Sequence, residues 1–197
     1  MKITLFIFIL FLKDIPCKSQ VIGSLEQFEE CSRRPNHGQE GCPDLENITY
    51  VKDTNNRLNQ FVGIWKGIYN GKQYEIHFEK QLQWGDDIKW DRVFGRMIIK
   101  DNFGNIIYNS LNKSLSETGL LRGGNFQHTG YVMHFVGNYK CLESGSVFIE
   151  TSLHNPNEMK LFYSQDNDGI ITSPSQCPNF ETFVPLLPTE KMILTKQ

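Results

Sequence analysis

The sequence predicts an all-β protein, an antiparallel up-and-down barrel of about eight strands that is lipocalin-like in layout, with a short N-terminal extension. Three observations lead there. Short strand-like segments separated by turn residues follow one another from residue 61 to the C-terminus. The stretch "GKQYEIHFEK" alternates strictly, with Tyr74, Ile76 and Phe78 on one face and Gln73, Glu75, His77 and Glu79 on the other. That is the habit of an antiparallel sheet with one buried and one wet face. Asn70-Gly71 lies between the first two segments and is the strongest short hairpin signal, because both central residues of a type I′ turn need positive φ.

Taken from the N-terminus, residues 1–19 read as a signal peptide. Lys2 supplies the positive start, and Ile3 to Leu12 form an apolar run too short to span a bilayer at roughly 20 residues. Cys17 and Ser19 stand at the −3 and −1 positions if cleavage leaves Gln20 first. The rival is a lipid anchor on Cys17, which Asp14 and Pro16 disfavour by occupying places where a lipobox carries Leu and a small residue. Either way the expected compartment is secreted or periplasmic, with no transmembrane segment. Without Cys17, four cysteines remain, which in an exported chain read as two disulfides with three possible connectivities. Cys31–Cys42 and Cys141–Cys177 are favoured, since the first pair brackets a polar stretch with no core of its own.

Residues 20–57 form the extension. "SLEQFEE" is a short helix candidate with Ser24 as cap and Gln27 three residues on, and "DTNNRLNQF" fits one helical turn or a plain linker. The barrel domain is 58–197. Its strands are expected at 61–69, the alternating segment after Asn70-Gly71, 92–100, 106–111, 131–139, 146–153, 158–164 and 190–195. Long loops fill 81–91, 112–129 and 165–188, the last holding Pro174, Pro178, Pro185 and Pro188.

Phe61, Gly63, Trp65 and Gly67 form an F-x-G-x-W-x-G first strand. With the meander and a basic residue near the last strand, this resembles the lipocalin-like (calycin) barrels. The same pattern, with Ser19-Gln20, resembles a family of small secreted proteins of Bacteroidota with no established activity. The resemblance implies that Trp65 packs across the closed end and that Lys191 or Lys196 stacks on it, where the family more usually has Arg. Read by themselves, Gly63 and Trp65 are architecture: a glycine permitting close approach beside a core tryptophan.

The residues offer little chemistry. Net charge is −2, from 20 basic and 22 acidic residues, and no basic stripe exists to grip nucleic acid. The five histidines show no metal spacing, and no metal or cofactor is expected. His134, in "GYVMHFVG", alternates with Val132 and Val136 and could face inward. Asp86, Asp87 and Asp91 cluster between Trp84 and Trp90, whose exposed rings could stack on a sugar or partner. The expected function is non-enzymatic: a barrel binding a small apolar or amphipathic molecule through Tyr74, Ile76, Phe78 and His134. The alternative is a protein-interaction module with a solid core, its long loops forming the contact surface. A packed interior would favour the second.

Overall fold

The structure is a computed structural model and describes residues 21–34, 42–44, 46–166, 173, 175–178 and 180–197. The signal segment, its cleavage point, Cys17 and His37 lie outside the described residues.

β1 (Ile22–Ser24) runs into α1 (Leu25–Arg33) at the expected cap. Ser24 Oγ accepts from the Gln27 amide at 3.2 Å, and Gln27 Oε1 accepts from the Ser24 amide at 2.8 Å. This reciprocal box satisfies two amides the helix itself leaves free. β2 (Tyr50–Lys52) pairs parallel with β1. A short 3-10 turn, Arg57–Gln60, then delivers the chain to the barrel, so "DTNNRLNQF" does contain a helical turn.

The strands that follow are β3 (Gly63–Tyr69), β4 (Lys72–Trp84), β5 (Lys89–Lys100), β6 (Ile106–Asn109), β7 (Leu121–Gln127), β8 (Gly130–Val136), β9 (Ser144–Thr151), β10 (Glu158–Gln165) and β11 (Met192–Lys196). Leaving out β6, each pairs antiparallel with its sequence neighbour, and β11 pairs back onto β3. The result is a closed eight-stranded antiparallel barrel without an open edge in the ring. Asn70 and Gly71 turn the β3–β4 hairpin with φ of 47° and 76°, as their chemistry predicts.

Four expectations change. The segment 106–111 gives only β6, which pairs with β5 outside the ring, and the missing barrel strand is β7, inside the stretch expected to be a loop. β7 shows no period because its register shifts between Gly123 and Phe126. Gly123 also stands where an inward side chain belongs: a Cβ there would sit 2.2 Å from the Tyr131 hydroxyl. The 81–91 loop is mostly strand, since β4 runs on to Trp84 and β5 starts at Lys89, with a register shift between Gln81 and Trp84. The long loop there therefore leaves the barrel closed. Last, the extension is part of the core. β2 adds to β5 in parallel, burying Tyr50 and Val51, while Leu25 of α1 and Ile48 join the same apolar cluster.

An eight-stranded barrel is just wide enough to be filled by side chains or to hold one small ligand. Here it is filled. Tyr74, Ile76 and Phe78 point inward as predicted, and meet Met97, Ile99, Met133, Phe135, Val147, Leu161 and Leu194, all almost wholly inaccessible. A ligand-sized void would leave its lining accessible, and these residues are not.

Candidate functional site

The strand directions define two ends. The start of β3, the end of β11 and the 3-10 turn lie at one, which is closed. The β3–β4 turn, the β8–β9 loop and the segment between β10 and β11 lie at the other, the mouth.

At the closed end Trp65 is fully buried, and its indole Nε1 donates to the Phe61 carbonyl at 2.7 Å. Lys196 Nζ stands 5.3 Å from the centre of the Trp65 ring. The basic partner is thus Lys196, while Lys191, at the other end of β11, is exposed on the outer wall. Gly63 has φ of +131°, and a Cβ on it would come 2.9 Å from Lys196 Cε, so the stacked lysine and this backbone both call for glycine. Beside them Arg57 lies over the Phe126 ring at 3.8 Å, and the buried Glu29 carboxylate binds both Arg33 and Arg57.

Two further carboxylates, Asp53 and Asp91, are buried here. Asp91 accepts from the Tyr50 hydroxyl at 2.7 Å, the Gln83 amide at 3.1 Å and the Asp53 amide at 3.0 Å. Asp53 accepts from the Arg57 and Leu58 amides and from Lys80 Nζ at 2.8 Å. The bonds of Asp91 to Tyr50 and to the Asp53 amide, and of Asp53 to the Leu58 amide and Lys80, tie the extension to the barrel. Burial and the bond to Asp91 push the Tyr50 hydroxyl above its usual pKa. Asp91→Asn should cost about 2 kcal/mol, because an amide NH2 would then face a backbone or hydroxyl donor. The check is a lower urea midpoint with unchanged slope. A midpoint within error of the parent would show that the carboxylate does not hold the extension.

The mouth is covered by residues 183–188. Leu187 and Pro188 are buried, and Leu186 packs on the core. The Tyr74 hydroxyl donates to the Leu186 carbonyl at 2.9 Å, and the Tyr163 amide donates to the Pro188 carbonyl at 2.7 Å. The Leu186 amide donates to Glu143 Oε1 at 2.6 Å, and Glu143 Oε2 accepts from the Asn138 amide at 2.8 Å. Glu143 is 1% exposed, and burial raises its carboxyl above the ordinary range despite those donors. Burial also raises the Tyr74 hydroxyl to about 12. Tyr163 Oη is buried without a hydrogen-bond partner. The expected disulfides are both present. Cys141–Cys177 links the β8–β9 loop to the segment that leads into this cover, and Cys31–Cys42 follows α1.

The other predicted site residues are scattered. His134 is exposed on the outside of β8, because Tyr131, Met133 and Phe135 take the inward positions. It does not join Tyr74, Ile76 and Phe78. Trp84 and Trp90 are half-buried, not a free rim: Trp84 meets Phe94 edge-on at 5.2 Å, and Trp90 packs on Phe28 at 5.0 Å. Asp86 and Asp87 are exposed while Asp91 is buried, so the three do not converge. Among the described residues no three His, Cys, Asp or Glu side chains gather as a metal site. An outer-wall groove of about 460 Å³ is lined by Lys66, Ile68, Gln73, Glu75, Ile98 and Lys100. There Glu75 accepts from His77 at 2.7 Å and pairs with Lys66 at 3.0 Å, which hold its carboxyl below the usual range. Glu143 and Leu187 carried no signal in the sequence, since an acidic residue two places after a cysteine and a leucine between prolines in a loop are ordinary.

The closed ring, the tryptophan packed across one end and the lysine stacked on it fit a lipocalin-like barrel. The chain belongs to DUF6705, a family of unknown function whose model matches residues 1–197. Comparison with curated proteins and with solved structures gave no match.

Proposed function

We propose that this is an exported, non-enzymatic barrel protein that works through its outer surface as a protein-interaction module, with no ligand inside. The observation that carries this reading is the filled interior beneath a covered mouth: Tyr74, Ile76 and Phe78 face inward into packed side chains, not into a void. The exposed apolar residues add to it. Phe103, Ile106, Ile107, Tyr139, Phe180 and Val184 are exposed toward the mouth end, Phe103 at 84% and Val184 at 69%, while Leu82 and Leu153 are exposed singly at the closed end. Apolar side chains gathered on one surface are what a partner buries. The loops first expected to make contact are partly reassigned: 81–91 is a packed hairpin, and the contact surface moves to the rim. Two disulfides point to an oxidising compartment, periplasmic or extracellular, in keeping with the resemblance to secreted Bacteroidota proteins. No described helix is long and apolar enough to cross a membrane.

A second reading, a small apolar or amphipathic molecule held in the barrel, draws on the lipocalin-like fold and requires the mouth to open. Native mass spectrometry of residues 20–197, exported to an oxidising compartment, separates the two. The interaction module gives an apo mass about 4 Da below the reduced chain, from two disulfides. It should also give photo-crosslinks from Tyr139 and Val184 in the producing cell but none from Leu153, which is exposed at the closed end. An adduct released only on denaturation would replace this reading with the second.

A further inference from the structure

We infer that Arg92, framed by Trp84 and Trp90 on the outer wall of the barrel, is a binding site for a single carboxylate carried on an apolar body. The site lies toward the closed end, away from the rim, so the inference goes beyond the surface function proposed above and does not depend on it.

The strand register builds the site. Trp90, Arg92 and Phe94 alternate along β5 with the buried Asp91 and Val93, so they share the outer face. Gln81 stands opposite Arg92 on β4, and Trp84 stands opposite Trp90. The Arg92 guanidinium carbon lies 5.3 Å from the centre of the Trp90 ring. Trp90 is backed by Phe28 of α1, and Trp84 turns along the hairpin to meet Phe94. Arg92 itself is half-buried, so its cation is held among fixed rings and stays reachable from outside.

The other described arginines all have oxygen partners. Arg33, Arg34, Arg57 and Arg96 bind glutamates, and Arg122 binds the carbonyls of Ser116 and Glu117. Among the described residues no oxygen is hydrogen-bonded to the Arg92 side chain, and its Nε is buried without an acceptor. The nearby carboxylates do not serve it: Asp91 is committed to Tyr50, Gln83 and Asp53, and Asp86 and Asp87 are exposed without pairing to it. A guanidinium taken out of water without a partner is disfavoured, and burial draws the Arg92 pKa below its ordinary value. A carboxylate offers two oxygens that match the guanidinium fork, and one negative charge for one positive. A phosphate dianion brings more charge than this single cation neutralises. The rings favour a carboxylate attached to apolar or aromatic carbon. A free acid and an acidic side chain of a partner protein both carry that chemistry.

Heteronuclear NMR on the full disulfide-bonded chain tests this. The probes are N-acetylphenylalanine, a free acid, and a capped tetrapeptide of glycine, phenylalanine, glutamate and glycine, whose only charge is the glutamate side chain. N-acetylphenylalanine amide is the uncharged control, and sodium chloride holds the ionic strength constant. Both probes should give saturable shifts of the Arg92 Nε–H and the Trp90 indole N–H, and the amide none. Arg92→Lys keeps the charge but removes the fork, and should weaken binding about tenfold. Arg92→Met should lose the Trp90 shift while its thermal midpoint stays or rises, because an apolar side chain replaces an unpaired, partly buried charge. Tighter binding of the tetrapeptide than of the free acid places the natural carboxylate on a protein, and the reverse order on a small molecule; both orders sustain the site. The inference is overturned if neither probe saturates, if the amide moves the same signals, or if Arg92→Lys binds as tightly as the parent. A lowered midpoint in Arg92→Met with the Trp90 shift retained also overturns it, and makes Arg92 a packing residue. Should Arg92→Met not fold, the parent titration and Arg92→Lys decide.

Discussion

Trp65→Ala is expected to lower the stability of the folded chain by about 3–5 kcal/mol, the usual range for deleting a fully buried large aromatic. Trp65 is wholly inaccessible, its indole N–H is spent on the Phe61 carbonyl, and its ring carries the Lys196 stem and ammonium. Alanine removes all three interactions and leaves the Phe61 carbonyl short of a donor. The void would open between the 3-10 turn and the join of β11 to β3, the seam where the last strand closes the ring. Collapse around it is limited, because Arg57 and Phe126 are already locked together beside it. Lys196→Met keeps the stem and removes only the charge over the ring, so it should cost about 0.5–2 kcal/mol. Urea unfolding followed by far-UV dichroism gives both numbers. A loss below about 1 kcal/mol for Trp65→Ala would mean that the tryptophan does not close this end.

The parts legible in the sequence are those where one residue type can do only one thing. Asn70-Gly71 announced its turn because few other pairs accept that backbone, and Ser24 with Gln27 announced its helix because the capping box is local. Tyr74, Ile76 and Phe78 gave their facing through an unbroken alternation. Elsewhere the determinants were not local. β7 has its alternation broken by a register shift and by Gly123, whose reason is the Tyr131 hydroxyl on the next strand. His134 shares a face with Val132 and Val136, as its spacing requires, but which face is inner was decided by Tyr131, Met133 and Phe135. β2 is too short to show a pattern and exists because β5, on the side away from β4, runs past its short pairing with β7 and offers an edge at Lys89 and Trp90. The mouth was illegible for the same reason. Its cover is an irregular segment whose burial depends on meeting Tyr74, Glu143 and Tyr163 from three distant parts of the chain.

Replacing Cys141 and Cys177 together with serine should cost about 4 kcal/mol, the chain-entropy value for a loop of this length. The sequence separation is 36 residues, against 11 for Cys31–Cys42, whose loss should cost about 1 kcal/mol less on the same relation. The larger effect has a second component in the native state. Cys141 is buried in the short turn before Glu143, and Cys177 begins the path to the mouth cover, so the bridge holds Glu143 and the segment that donates to it in one neighbourhood. Without it, the Leu186 amide must find Glu143 from a loop anchored only at β10 and β11. Two measurements therefore move together in the Cys141→Ser/Cys177→Ser protein: the thermal midpoint falls by roughly 10 °C, at about 2–4 °C per kcal/mol for a chain of this size, and exchange at Leu186 rises more than at any amide of β9. The Cys31→Ser/Cys42→Ser protein should show a smaller fall in midpoint and no change at Leu186, because that bridge belongs to the extension at the closed end. Equal midpoints for the two double variants, with Leu186 protected in both, would mean that Cys141–Cys177 is a passive staple and that the mouth is held by packing alone.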